Sequence, residues 1–140
     1  MTAAARETVR AYYAALRDGD PLGHFFAEPR AGDAAVVKFG ISERLVGTGA
    51  LREGLRAQTE TTSDWTVESD ALRVTEREHH AWFSDLVHLG WTDTERNAEY
   101  AFDTRWSGTL ERRPVDGGPN IAEGDDWRFV GMHVSTARDL

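Results

Sequence analysis

The side chains best suited to proton transfer in this sequence are those of His88 and Tyr12. Histidine is the usual general base near neutral pH, and a phenol can donate a hydrogen bond to a developing oxyanion. His88 would act as the base if Tyr12 or Ser84 lay across a shared cavity. The competing interpretation is a histidine at the edge of the core that bonds a backbone carbonyl, because partly buried histidines are common.

A second group that could exchange protons is formed by Asp85, Asp103 and Arg105. An acid/base cluster is one interpretation of these residues. The other, which we favour, is a set of ion pairs on a dimer face or its rim, since such pairs are frequent on protein surfaces.

The acidic and histidine residues near position 78 do not predict a metal site. Glu76, Glu78, His79 and His80 surround a tight turn, but consecutive residues of a strand point to opposite faces and cannot converge on one ion. The chain has no cysteine, and the glycine-containing run at residues 47–49 is too short to cradle a phosphate. We therefore expect no metal and no cofactor.

Three helices are predicted in the first half of the chain. The first is capped by Thr2 and ends at Gly19, where a left-handed residue is needed. The second begins with Asp20 as its cap and Pro21 at its first position, and the third is capped by Thr48. Their apolar stripes are formed by Val9, Tyr12, Tyr13 and Leu16 in the first helix, Leu22, Phe25 and Phe26 in the second, and Leu51 and Leu55 in the third.

The second half of the chain alternates with a period of two, which predicts strands. We predict strands at residues 34–39, 45–46, 65–76, 80–91, 98–112 and 127–136, with a loose hairpin loop at 114–126. Helices followed by long antiparallel strands indicate one α+β domain over residues 1–140.

Each long strand carries large apolar groups on both faces. One face, rich in Trp, Tyr and Phe, is predicted to turn toward the helices and, if the sheet curves, to line a pocket. The predicted lining residues are Tyr12, Trp65, Trp82, Ser84, His88, Tyr100, Phe102, Trp106 and Met132. A fully packed core is the alternative, and periodicity does not choose between the two.

The opposite face, with Phe83, Val87 and Phe129, also needs a cover, because exposed apolar patches of this size usually mark interfaces. A two-fold homodimer through the sheet face is the simplest cover.

Composition excludes several classes of partner. The formal net charge of −8 argues against binding to a phosphate backbone, so we expect no nucleic acid. No apolar run approaches the roughly 20 residues that span a bilayer, and the first residues do not resemble a signal peptide. We therefore expect a cytoplasmic protein without a membrane partner.

Four runs, in this order, resemble the SnoaL-like family of the nuclear transport factor 2-like superfamily. They are YYAALRDGD at 12–20 with FFAE at 25–28, GTGALRE at 47–53, and DWRFVGMHVS at 126–135. The resemblance implies a cystatin-like cone, in which three N-terminal helices pack on a strongly curved mixed sheet around a central pocket. The superfamily includes ketosteroid isomerases, polyketide cyclases, dehydratases, epoxide hydrolases and proteins without chemistry.

The resemblance transfers only part of a known site. Tyr12 matches the oxyanion-hole tyrosine of ketosteroid isomerases, but no carboxylate stands at residues 35–38, where their general base would fall; Lys38 is closest. The second acid of ketosteroid isomerases, a protonated aspartate that donates to the same oxyanion, has no clear match. In the calcium/calmodulin-dependent kinase association domain the pocket contains arginines, and their positions are taken here by Ser84, Gly108 and Val134. Both chemistries are therefore disfavoured.

The function predicted from the sequence is binding of a mostly apolar small molecule, fused-ring or aromatic, in the cone. If there is turnover, we expect an isomerase, cyclase or dehydratase in which His88 moves protons and Tyr12 donates to the oxyanion. The alternative is a non-enzymatic dimeric module for binding or assembly.

Overall fold

The fold is described from a computed structural model, for residues 4–113 and 126–137. These ranges contain two α-helices, one turn of 3₁₀ helix and seven strands. The elements are α1 Ala5–Asp18, the 3₁₀ turn Gly23–Phe25, β1 Val37–Phe39, β2 Arg44–Val46, α2 Thr48–Thr61, β3 Thr62–Ser69, β4 Arg73–Glu76, β5 His80–Asp93, β6 Ala98–Arg113 and β7 Asp126–Thr136. No helix in this part of the chain is long and apolar enough to cross a lipid bilayer.

The strands form one curved, mixed sheet in the order β2-β1-β7-β6-β5-β3, with β4 also paired to β5. β1 and β7 run parallel, and the other pairs are antiparallel. The helices pack on one side of this sheet, so the α+β cone fold predicted from the sequence is confirmed.

Two of the three predicted helices are α-helices, and the third is only a short 3₁₀ turn. α1 ends at Gly19, whose φ of 73° is the left-handed conformation expected there; its predicted cap, Thr2, lies outside the described residues. The second helix is wrong in length. Only Gly23–Phe25 forms a 3₁₀ turn, because Phe26 turns extended and pairs with Phe129 of β7. α2 starts at Thr48, and Gly47 occupies the cap position predicted for Thr48.

The predicted strand at 65–76 is in fact two strands, β3 and β4, which both pair with β5. The break between them is organised by Asp85, which is buried under it. Its carboxyl group accepts hydrogen bonds from the backbone N–H of Ala71 at 2.9 Å and from Ser69 Oγ at 2.5 Å. Asp70 still donates its backbone N–H to the carbonyl oxygen of Leu86 in β5 at 2.8 Å, and the ladder is interrupted at Ala71, whose N–H bonds the side chain of Asp85 instead.

The inward face of β5 is the reverse of the prediction. Ala81, Phe83, Asp85, Val87 and Leu89 are buried, whereas the residues between them are exposed or half-buried. Phe83 and Val87, predicted to lie on the dimer face, are therefore core residues. The prediction placed the heavier aromatic residue, Trp82, inside and the carboxylic acid outside. The fold instead supplies that acid with hydrogen-bond donors, which makes its burial tolerable.

A β-bulge corrects the face assigned to the first part of β7. Thr109 pairs with Gly131 and Leu110 with Phe129, so Val130 is the extra residue of the bulge. The shift places Phe129 on the same, inward side as Met132, although simple alternation predicted opposite sides and assigned Phe129 to the dimer face.

Helix α1 is fixed to the sheet by two adjacent tyrosines. The ring of Tyr12 makes edge contacts with four aromatic rings, those of Phe25, Phe26, Trp106 and Phe129, at centroid distances of 5.4 to 6.0 Å. Tyr13 contacts Trp106 and donates a hydrogen bond of 2.9 Å to Asp85 Oδ2. Burial raises the pKa of both phenols, and for Tyr13 the bond to Asp85 adds to the effect.

We expect replacement of Asp85 by Ala to lower the free energy of unfolding by at least about 3 kcal/mol, because three donors lose their acceptor and the phenol of Tyr13 is left buried. Chemical denaturation measures this effect. Asp103→Asn is the control: the side chain of Asp103 is 95% exposed, and its variant should unfold at nearly the wild-type midpoint. Equal midpoints for both variants would contradict the role of Asp85.

The raised pKa values of Tyr12 and Tyr13 predict a loss of stability in alkali. In the unfolded chain both phenols ionise near pH 10, whereas the folded chain keeps them protonated. Their contribution is complete below about pH 10 and falls as the pH rises above it. Urea unfolding at stepped pH should show this decline, and the Tyr12→Phe/Tyr13→Phe double variant should show a flatter curve. An equally steep decline in that variant would refute the assignment.

Candidate functional site

A cavity of about 140 Å³ lies between α1, the end of α2, the β1–β2 hairpin and the inner face of the sheet. Its lining is apolar and aromatic on most sides and polar where the hairpin approaches it. The lining residues are Tyr12, Leu16, Lys38, Gly40, Ile41, Ser42, Glu43, Gln58, Thr62, Trp65, Leu89, Trp91, Trp106 and Val134.

Three tryptophans, Trp65, Trp91 and Trp106, form parts of the cavity wall. Trp65 of β3 stacks on Trp91 of β5 with ring centroids 4.9 Å apart and planes 21° from parallel. The indole N–H of Trp65 donates to Thr62 Oγ1 at 2.9 Å, and that of Trp106 donates to Thr104 Oγ1 at 2.9 Å. Because the N–H groups of Trp65 and Trp106 are satisfied within the protein, these two rings present mainly apolar surface to the cavity.

The polar end of the cavity is an ion pair between Lys38 and Glu43. Lys38 lies on β1 and faces inward beside Met132, with only 6% of its side chain exposed. Its Nζ donates to Glu43 Oε1 at 2.8 Å, and the Glu43 side chain is 34% exposed. Burial of an ammonium requires such a partner, because an isolated charge is costly in an apolar environment.

The hairpin loop brings Glu43 into place through a close approach to Gly40. The backbone N–H of Gly40 donates to the carbonyl oxygen of Glu43 at 3.0 Å. A Cβ atom on Gly40 would stand 2.7 Å from Glu43 Cγ and 2.8 Å from Oε1. The absent side chain therefore leaves room for the Glu43 carboxylate to fold back toward Lys38.

Three kinds of polar group line this cavity: a phenol, an ammonium and a carboxylate. Among the described residues, the hydroxyl of Tyr12 has no hydrogen-bond partner, and Lys38 bonds only to Glu43. Both can therefore donate to an oxygen atom of a bound molecule. Burial and the nearby Glu43 raise the pKa of Tyr12, so it remains a donor. Glu43 offers a carboxylate that can accept a proton.

Some of the residues predicted to line a pocket do surround this cavity. Tyr12, Trp65 and Trp106 line it. The rings of Tyr100 and Phe102 lie next to Trp91, with centroids 5.5 and 5.7 Å from its ring, but they do not line the cavity. Met132 is buried in the core and does not line the cavity either.

The prediction that Trp82, Ser84 and His88 line the pocket is wrong, because these residues point to the opposite face of β5. His88 Nδ1 lies 2.8 Å from Asp103 Oδ1 on the outer surface, and this hydrogen bond raises the pKa of His88. The structure thus does not bring His88 together with Tyr12. Asp103 belongs to that outer pair, whereas Asp85 is in the core.

Residues missed by the sequence analysis include Lys38, Glu43, Gln58 and Trp91. A signal existed for Lys38: it is the only lysine in the chain, and it stands within an apolar strand. Glu43 carried no such signal, because its approach depends on the conformation of the hairpin.

A second cavity, of about 180 Å³, adjoins the first at the end of α1. The two share lining residues Leu16, Gln58, Thr62 and Trp65, and the second is otherwise lined largely by polar residues. Among residues 4–113 and 126–137, no three His, Cys, Asp or Glu side chains are grouped so as to hold a metal ion.

Comparison with known structures identifies the same fold in several proteins of low sequence identity. A candidate dehydratase of the nuclear transport factor 2-like family from Streptomyces avermitilis is 16% identical and superimposes with a TM-score of 0.76 over 95% of this chain and 93% of its own. A ketosteroid isomerase-like protein from Erwinia carotovora atroseptica is 15% identical, with a TM-score of 0.69 over 96% and 94%. At these identities the likeness establishes the fold alone.

A third similar structure is a candidate scytalone dehydratase from Novosphingobium aromaticivorans, 14% identical, with a TM-score of 0.70 over 95% of this chain and 81% of its own. No individually curated protein matches the sequence. The profile of the SnoaL-like domain family, however, matches residues 5–139. The chain therefore belongs to the SnoaL-like domain family.

Proposed function

We propose that this protein binds a mostly apolar small molecule that carries a carbonyl or similar oxygen acceptor. The observation that carries the proposal is the cavity itself, in which tryptophan walls end at a buried ammonium whose only hydrogen bond within the described part of the chain is to Glu43. Such a combination of apolar walls and a few directed polar groups is typical of ligand sites.

The size of the cavity favours a ligand with a single aromatic ring over a fused-ring one. Its volume of about 140 Å³ is close to that of an engineered apolar cavity of about 150 Å³ that holds benzene in another protein. A larger molecule would have to displace part of the wall shared with the second cavity, such as Trp65.

Proton transfer is the chemistry that fits this site if the ligand is turned over. Glu43 would accept the proton, while Lys38 and Tyr12 would donate to the oxygen on which negative charge develops. This assignment replaces His88 by Glu43 and retains Tyr12. The isomerase, cyclase or dehydratase class remains a proposal, supported by relatives described as candidate dehydratases.

We further propose that the outer face of the sheet forms a homodimer. Phe39, Trp82 and Leu86 are 41%, 43% and 53% exposed on this face. Asp103 and Arg105 add charges of both signs, which two copies related by a two-fold axis can place opposite each other. A dimeric module without catalysis is the second candidate function, and this exposed apolar surface favours it.

We expect acetophenone to raise the melting temperature. At ten times its Kd, a ligand that binds only the folded chain adds about 1.4 kcal/mol, which corresponds to roughly 5 °C for a chain of this size. Trp65→Ala should abolish most of the rise, because it removes a stacked wall. Trp82→Ala is the matched control, since its ring lies on the outer face, and it should retain the rise.

Toluene separates the apolar and polar parts of this site. It shares the ring but lacks the oxygen, so Lys38→Met should weaken acetophenone binding and leave toluene binding nearly unchanged. An absence of any ligand-induced shift with either compound, or an equal shift in Trp65→Ala, would refute the binding function.

We expect sedimentation at micromolar concentration to give twice the chain mass of 15.6 kDa. Leu86→Glu should produce a monomer with unchanged circular dichroism, because it places like charges at the centre of the outer face. Wild-type protein that sediments as a monomer would contradict the dimer.

A further inference from the structure

The chain contains a single lysine, and that lysine is the cation that lines the cavity. Every other residue among the 16 Lys and Arg is arginine. Where a charge only has to pair with a carboxylate, this chain uses arginine, as in the pair of Arg56 with Glu53. The exception is Lys38, and its partner is Glu43.

The chemical difference between the two cations is nucleophilicity. A guanidinium keeps its proton and does not attack carbonyl carbon, whereas a lysine amine can lose a proton and form a Schiff base. Lys38 has the surroundings that this reaction needs. It is nearly buried, it faces a cavity with room for one ring, and its only hydrogen bond among the described residues is to a carboxylate.

We infer that Lys38 is a covalent site that forms an imine with aromatic aldehydes and related carbonyl compounds. The inference rests on the proposed binding function, because the aromatic wall must first hold the ring. It adds that the ligand class is one with an electrophilic carbonyl carbon, and that this carbon lies next to Lys38 Nζ.

The reaction balances with the groups present. The Lys38 ammonium passes a proton to Glu43 across the 2.8 Å hydrogen bond, and the neutral amine attacks the carbonyl carbon. One proton then moves from the nitrogen to the oxygen of the adduct, which gives a neutral carbinolamine. Glu43 returns its proton to the carbinolamine oxygen, the C–O bond breaks and water leaves. The product is a protonated imine beside the Glu43 carboxylate, and no oxidant or reductant is consumed.

Gly40 supports this assignment of Glu43 as the proton carrier. The carboxylate reaches Lys38 only because it folds over a residue without a side chain, 2.8 Å from the position of a Cβ. Gly40→Ala would therefore displace the Glu43 carboxylate while the protein keeps both this carboxylate and the Lys38 amine. The variant thus tests whether the position of the carboxylate matters.

Reductive trapping tests the inference directly. Benzaldehyde and sodium cyanoborohydride are added to the folded protein, and intact mass with peptide mapping follows the addition of one benzyl group. We expect rapid labelling at Lys38, which peptide mapping distinguishes from labelling of the N-terminal amine. The reference is the Lys38→Arg/Arg56→Lys double variant, whose one lysine has a glutamate partner on the surface. Lys38 should react at least about tenfold faster than that surface lysine.

Two further variants test the proton carrier. Glu43→Gln and Gly40→Ala should each slow trapping at Lys38 at least about tenfold when benzaldehyde is saturating, so that the rate does not depend on affinity. Quenching of tryptophan fluorescence gives the benzaldehyde concentration that saturates each variant. Circular dichroism of each variant confirms that it is folded.

The outcomes separate the inference from the proposed function. Saturable quenching of tryptophan fluorescence by benzaldehyde with Lys38 unlabelled, or labelled no faster than the surface lysine, overturns the covalent site and leaves binding intact. Rapid, Glu43-dependent labelling at Lys38 supports the site. Loss of both quenching and labelling in the folded wild-type protein overturns both.

Discussion

The position of helix α1 on the curved sheet determines the rest of the structure. Tyr12 and Tyr13 fix it there. The ring of Tyr12 lies among four aromatic neighbours, and the hydroxyl of Tyr13 donates a hydrogen bond to Asp85. Each aromatic pair contributes roughly 0.5–1.5 kcal/mol beyond the area it buries. Because these contacts hold α1 at one height above the sheet, the helix cannot descend to fill the space beside Trp106, and a cavity remains.

The β1–β2 hairpin explains how the charged amine of Lys38 can be buried beside this cavity. Lys38 faces inward because successive residues of β1 point to opposite faces of the sheet, and only 6% of its side chain is exposed. The turn at residues 40–43 then brings a carboxylate back over the strand to pair with it. The polar end of the site is thus a property of a short hairpin, while its apolar walls belong to the long strands.

The fold could be predicted from the sequence, because helix stripes and strand alternation depend on neighbours in the chain. The face of β5 could not, since a carboxylic acid at position 85 looks exposed until its three donors are known. Likewise, a bulge at Val130 reverses the faces of the residues that precede it in β7, which simple alternation does not anticipate. Tyr12 was found because helical periodicity and the family resemblance agreed, whereas Glu43 reaches the site through a turn that no pattern specifies.

Ligand binding requires that the cavity is open and that Lys38 forms its polar end. A crystal structure grown with acetophenone tests it most directly. We expect the ring to lie between Trp65, Trp91 and Trp106, with the ketone oxygen about 3 Å from Lys38 Nζ. Those three indoles filling the hollow themselves, with the ketone absent or on the outer face of the sheet, would contradict it.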